Sequence, residues 1–332
     1  MVDPLVLIVL VVVAALLFDF ANGWNDAANA IATVVSTRVL SPLAAVLLAG
    51  GLNFVGAYLS TKVAKTIGGS LVDPTMISMT VILAAMLGAF LWTFMMTRVG
   101  MPISGSHSLI GGLLGAVVFA KGFSVLKMGG VYKVLTALLL SPIFGLGVGF
   151  LFMVLIMHLC KNVAPSIVNK YFGKLQLISV SFMALSHGTN DAQKVMGIIT
   201  MALLSGGFID TLEVPFWVIT ACALMMGLGT ATGGWRVIKT LGLQLSKIKP
   251  VHGFAAESAA SVVLLSAASM GAPVSTTHVI TSCIMGVGST RRLSAVRWGI
   301  GKKILYAWVL TLPACAIMAG AIYHALKLVL GA

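Results

Sequence analysis

GWNDAANA, residues 23–30, sets the ionisable Asp26 and the amides of Asn25 and Asn29 directly after one of the most apolar stretches of the chain. The preceding residues 5–18, LVLIVLVVVAALLF, contain no polar side chain. A close copy, GTNDAQK, returns at 188–194. An aspartate placed twice in such surroundings needs a use, and the rest of the sequence supplies the setting.

The chain has 332 residues, 59% of them hydrophobic and 9% charged. That excludes an ordinary soluble domain. Apolar runs near 18 residues recur along it, the length that crosses about 30 Å of hydrocarbon. The fold class expected is an all-α, polytopic membrane protein. The start MVDPLVLIVL has no basic n-region and no cleavage site after it, so it reads as a first spanning helix and not a signal peptide. Cys160, Cys222, Cys283 and Cys315 have no metal-ligand spacing and read as small core residues. The formal charge of +13 could suggest nucleic acid, but its distribution follows membrane topology and no nucleic acid is expected.

Ten apolar segments stand out, near 5–36 (interrupted), 42–60, 75–97, 101–120, 134–158, 175–205 (interrupted), 214–233, 253–270, 275–290 and 304–330. The hydrophilic loop KNVAPSIVNKYFGK, 161–174, divides them five and five. Two related halves of five spans must lie in opposite orientations, and the motifs relate the halves. GWNDAAN at 23 recurs as GTNDAQK at 188, an offset of 165 residues, and GMPISGSH at 100 recurs as GAPVSTTH at 271, an offset of 171. The expected organisation is an inverted repeat, 1–160 and 175–332, joined by a cytoplasmic loop at 161–174. With the N-terminus outside, fourteen Lys and Arg fall on the cytoplasmic side and six outside, as the positive-inside rule requires. Segments 101–120 and 275–290 are rich in Gly and Ser and either span or re-enter.

Five ionisable residues remain within the apolar segments: Asp19, Asp26, Asp191, Lys194 and Glu257. Each costs roughly 2.5–3.5 kcal/mol at mid-helix if unpaired. Asp19 and Glu257 could sit silently near an interface, whereas Asp26 and Asp191 are related by the repeat and each follows an asparagine. Asn-Asp beside Gly is poor helix material. Both stretches are therefore expected to break a membrane helix and expose carbonyls and carboxylates to a cation.

The second repeated motif has the complementary chemistry. In PISGSH and PVSTTH a proline precedes a cluster of hydroxyls at what should be a helix start. Free N–H groups, the positive end of the helix dipole and Ser or Thr hydroxyls together form an anion site without a full positive charge. His107 and His278, which close the two motifs, read as packing residues. Paired cation and anion sites in an inverted repeat imply a secondary transporter with substrate near the midplane. Importing a divalent anion against an inside-negative potential costs about 2.3 kcal/mol per charge per 100 mV. Two co-transported cations cancel that cost, and the repeat offers two Asn-Asp sites.

At this point the residues carry a likeness. NGWNDAANAIATVVSTRVLSP and SHGTNDAQK resemble the twin signatures of the inorganic phosphate transporter family, and GGWRVIKTLG, HGFAAESAAS, GAPVSTTHVITSCIMGVG and VRWGIGKKILYAWVLTLPA look like further stretches of it. The resemblance covers nearly the whole chain. It implies symport of inorganic phosphate with sodium or protons at the plasma membrane, no cofactor, no enzymatic activity and a homodimer in the lipid. Asn25, Asp26, Asn190 and Asp191 match the signature positions implicated in phosphate and cation binding. Ser104, Ser106, Ser275, Thr276 and Thr277 match the hydroxyl-rich helix starts that would hold phosphate. Asn29, Gln193, Lys194 and Glu257 are accessory candidates. The sequence departs from the family where GWND replaces GAND, and the halves differ where Asn29 becomes Lys194 and Ala28 becomes Gln193. Lys194 would pair either with phosphate or with a neighbouring carboxylate.

Sodium suits the expected sites, since amides and hydroxyls outnumber titratable groups there, and a proton is the alternative. Other readings are a symporter for sulfate or a metal–phosphate complex, a passive anion channel, and an intramembrane aspartyl protease. The last would need its two carboxylates to share a proton and has no use for the duplicated hydroxyl motifs.

Overall fold

The computed structural model describes residues 3–330, which form twelve α-helices and no strand longer than a single bridge. In chain order they are α1 (Pro4–Ser36), α2 (Pro42–Gly56), α3 (Lys62–Ser70), α4 (Met79–Val99), α5 (Gly105–Lys121), α6 (Met128–Leu159), α7 (Pro165–Ser205), α8 (Phe216–Thr232), α9 (Trp235–Lys239), α10 (Pro250–Ser269), α11 (Thr276–Ser289) and α12 (Trp298–Leu330).

Local chemistry sets the starts and stops. Pro4, Pro42, Pro165 and Pro250 each open a helix, where the missing N–H costs nothing. Asp3 accepts from the Leu5 amide at 2.8 Å and Ser41 from the Ala44 amide at 3.3 Å. These caps satisfy donors that have no partner within the helix. Gly100 ends α4 in the left-handed region at φ 76°, a stop that a Cβ would disfavour.

Five helices among the described residues are long and apolar enough to cross a membrane: α1, α4, α6, α10 and α12. With its exposed apolar surface, this is a multi-pass membrane protein. α6 and α12 carry that surface outward: Leu139, Ile143 and Leu151 on α6 and Val309 and Ile317 on α12 are each about two-thirds exposed. Such a belt suits lipid, which needs no polar cover. The interior divides into two apolar clusters, one around α1, α4 and α5 and one around α7, α10 and α11.

The structure changes two readings of the sequence and narrows a third. The Asn-Asp stretches do not break their helices: α1 and α7 run through Asp26 and Asp191 without interruption. Their glycines serve close packing instead. A Cβ on Gly23 would lie 2.6 Å from the Met226 carbonyl oxygen of α8, and one on Gly188 would lie 2.2 Å from the Asn53 carbonyl oxygen of α2. The chain breaks elsewhere, in a 60° bend after α8 and in extended segments before α5 and α11. Secondly, α7 begins at Pro165, so most of the stretch expected as a loop at 161–174 is the first turns of a 41-residue helix. Thirdly, α5 and α11 have 17 and 14 residues, about 26 and 21 Å at 1.5 Å per residue. Neither crosses about 30 Å of hydrocarbon alone, which favours the re-entrant alternative for 101–120 and 275–290.

Candidate functional site

α1 and α7 pack against each other, and α11 touches both. This brings the two Asn-Asp motifs and the second hydroxyl motif into one buried cluster. Thr276 donates to Asp191 Oδ2 at 2.9 Å and to Asp26 Oδ2 at 3.4 Å, while Thr277 donates to Asp26 Oδ1 at 3.1 Å. Asn29 adds a second tier: its amide donates to Thr277 Oγ1 at 2.9 Å and to Thr276 Oγ1 at 3.3 Å. Lys194 donates to Asp191 Oδ1. None of these side chains is more than a few per cent exposed.

His187 completes the cluster. Its Nε2 lies 3.3 Å from Asp191 Oδ2 and 3.9 Å from Asp26 Oδ2, and its Nδ1 is 2.9 Å from Asn53 Oδ1. Asn53 donates from Nδ2 to Thr230, so its Oδ1 is an acceptor and His187 donates from Nδ1. Its Nε2 therefore faces two carboxylates. The ligand atoms of Asp26, His187 and Asp191 lie within 4.8 Å of one another, a geometry able to hold an ion. On the same two helices, Asn22, Asn25, Asn29 and Asn190 each carry a buried amide oxygen with no partner among the described residues. Buried oxygens of this kind are what a hard cation takes as ligands.

The first hydroxyl motif meets the second at the start of its helix. Ser104 accepts from the His107 amide at 3.1 Å, and Ser275 from the His278 amide at 3.2 Å, so each serine caps its helix. The two caps have nearly the same backbone, φ −95° and ψ 112° at Ser104 against φ −90° and ψ 112° at Ser275. Ser106 donates to the Val274 carbonyl at 3.0 Å, and the His107 and His278 rings stand 4.7 Å apart. The starts of α5 and α11 thus converge, with the positive ends of both dipoles directed to one region. A Cβ on Gly105 would fall 1.7 Å from Asn22 Oδ1, so with the Asn22 amide in this position a glycine lets α5 begin this close to α1.

The symmetric roles expected for Asn25 and Asn190 separate in the structure. Asn25 Nδ2 bonds Thr97 at 2.9 Å and the Met101 carbonyl at 3.3 Å, holding the segment that leads into α5. Asn190 has neither amide atom bonded among the described residues. Gln193 does not join the cluster: it accepts from the Val63 and Ala64 amides at the start of α3 and donates to Thr189. Glu257 forms a separate buried centre on α10, accepting from Thr33 at 2.5 Å, Gln176 at 2.8 Å and Ser179. His107 packs as expected, with Nδ1 at 3.1 Å from the Trp308 carbonyl. His187 was not singled out in the sequence, although the motif SHGTNDAQK contains it. The signal available was its place four residues before Asp191, one helical turn away.

This site lies within a stretch that other proteins share. The phosphate transporter family matches residues 22–319, nine-tenths of the sequence. The chain belongs to the phosphate transporter family. A Bacillus subtilis relative, described as "Probable low-affinity inorganic phosphate transporter", is 44% identical over 98% of this chain and 98% of its own. A Rhizobium meliloti relative of the same description is 44% identical over 97% of each chain. A solved structure titled "The sodium-dependent phosphate transporter" superposes with a TM-score of 0.88, covering 98% of this chain and 100% of that one at 24% identity. At that identity it establishes the fold.

Proposed function

We propose that this member of the phosphate transporter family is a cation-coupled symporter importing inorganic phosphate across the plasma membrane. Phosphate is held at the starts of α5 and α11 by Ser104, Ser106, Ser275, Thr276 and Thr277, with Asn25 and Asn190 of the Asn-Asp motifs as further ligands. Cations bind at Asp26 and Asp191. The observation that carries this reading is that the anion donors and the carboxylates are already partners: Thr276 and Thr277 donate to Asp26 and Asp191.

That pairing supplies a coupling mechanism. A carboxylate that accepts a threonine hydroxyl competes with phosphate for the donor. A cation seated on Asp26 draws off that negative charge, so the hydroxyls of Thr276 and Thr277 turn to phosphate. Phosphate alone meets the Asp26 carboxylate, a like charge with no Lys or Arg paired to it among the described residues, which disfavours its binding. Cation and phosphate then bind with mutual enhancement, and by linkage each raises the affinity of the other equally.

Sodium is the coupling ion that the cluster favours. Two carboxylates and an imidazole nitrogen lie close enough to share an ion, α1 and α7 carry four buried amide oxygens with no partner among the described residues, and the structural neighbour is described as sodium-dependent. A proton on the carboxylates is the alternative. The repeat reading of 1–160 and 175–332 is supported by the matched backbone of Ser104 and Ser275 and by their matched bonds to His107 and His278. The N-terminus lies outside and residues 161–174 are cytoplasmic by the charge distribution, and two copies associate as a homodimer. Hydrogen phosphate is distinguished from sulfate by its hydroxyl, which donates a hydrogen bond to a carboxylate of the cluster. Competition of labelled phosphate uptake by excess sulfate tests this, and equal competition would assign the site to tetrahedral oxyanions generally.

A further inference from the structure

The 165-residue offset that carries Asp26 onto Asp191 also carries Asn29 onto Lys194. Both residues stand three positions after their aspartate, one helical turn away. Their partners differ. Asn29 leaves Asp26 alone and bonds the two threonines. Lys194 places its ammonium on Asp191 Oδ1, with the two side chains 3% and 1% exposed. The other Lys or Arg ion pair among the described residues, Lys127 with Asp73 at 3.7 Å, is exposed and far in sequence from either motif.

An ammonium group is a monovalent cation, and here a four-carbon stem anchors it beside one of two equivalent carboxylates. It takes a carboxylate oxygen that an arriving sodium ion would need. A buried pair of this kind resists separation, because removing one partner strands the other charge in a poor solvent. Among the described residues no Lys or Arg pairs with Asp26, and the basic side chain nearest to it in an ion-pair contact is His187, with Nε2 at 3.9 Å from Oδ2. We infer that Lys194 is a built-in cation that fills the Asp191 position, leaving Asp26 as the signature carboxylate that exchanges its cation with solution. The protein then moves one cation fewer per phosphate than its two aspartates would otherwise carry. Asn29, the residue at the corresponding place in the first half, is what an exchangeable site has instead.

This inference rests on the cation-coupled reading and deepens it. The test uses the full chain, wild type and three variants: Lys194→Asn, Lys194→Arg and the double substitution Asp191→Asn with Lys194→Asn. Two quantities are read. One is the charge moved per phosphate, from the voltage at which net flux reverses in proteoliposomes. The other is the melting temperature of purified protein against sodium concentration at constant ionic strength. Lys194→Asn is expected to gain one positive charge per phosphate and a steeper rise of melting temperature with sodium. Lys194→Arg, which keeps an attached cation, shows no gained slope, and the double variant loses the gain because Asp191 is gone.

A Lys194→Asn protein with the wild-type charge count and sodium slope overturns the inference. So does one that cannot be recovered folded at any sodium concentration, since sodium then fails to replace the ammonium. If Lys194→Asn folds but no longer transports, the sodium slope alone decides: a steeper slope supports the inference and an unchanged slope overturns it. Failure of the underlying reading is visible separately, as wild-type uptake that ignores sodium, proton and voltage gradients alike.

Discussion

Asp19 is a buried carboxylate that the ion cluster does not use. It is fully enclosed in α1, and neither oxygen has a hydrogen-bond partner among the described residues. A lone buried charge is costly, so Asp19→Asn, nearly the same in shape, should melt no lower than wild type. A clear drop would show that the carboxylate holds a partner. Asp26 and Asp191 behave differently because Thr276 and Thr277 donate to them. Asp26→Asn is expected to abolish the cation dependence of uptake while the protein still folds, and retained accumulation in that variant would remove Asp26 from the cation site. These aspartates were legible in the sequence because they repeat in register, beside asparagine, within apolar surroundings. His187 was not, because one histidine in a membrane helix carries no information about which carboxylates will face it. The split between Asn25 and Asn190 was equally hidden, since it depends on which neighbour, Thr97 or none, folds against each amide.

At the scale of elements, the starts of α5 and α11 are defined by single serines. Ser104→Ala and Ser275→Ala each remove a helix cap, a loss of about 1 kcal/mol. Both should weaken phosphate affinity more than they change cation dependence, measured as the phosphate concentration for half-maximal uptake at fixed cation. The reverse pattern would exchange the roles of the two motifs. Gly188 tests the packing that replaced the expected helix break. Gly188→Ala puts a Cβ against the Asn53 carbonyl and should destabilise the protein by about 1–3 kcal/mol. Gly51→Ala on α2 meets nothing within 4 Å and should be neutral or slightly stabilising. If the two variants melt alike, close approach is not why Gly188 is there. The ten apolar segments foreshadowed ten of the twelve helices. The short α3 and α9 escaped because five to nine residues are too few to establish a period. The unbroken course of α1 and α7 escaped because Gly and Asn weaken an isolated helix, whereas tertiary packing in this protein uses them to bring helices together.

At the scale of the molecule, two helix starts and two carboxylates meet at one buried place between long helices whose outer faces suit lipid. The uneven distribution of Lys and Arg, the Asn-Asp repeat and the hydroxyl repeat were all visible in the primary structure, because each depends on composition or register. The bonds from hydroxyl to carboxylate were not, because they join residues about 250 positions apart in one case and 85 in another. Those bonds carry the central claim, that cation binding frees the anion donors for phosphate. The most direct measurement is labelled phosphate uptake into proteoliposomes under independently imposed sodium, proton and voltage gradients. The account predicts accumulation driven by an inward sodium gradient alone, with phosphate affinity rising as sodium rises. Uptake that follows only the phosphate gradient, with an affinity indifferent to every cation, would contradict it.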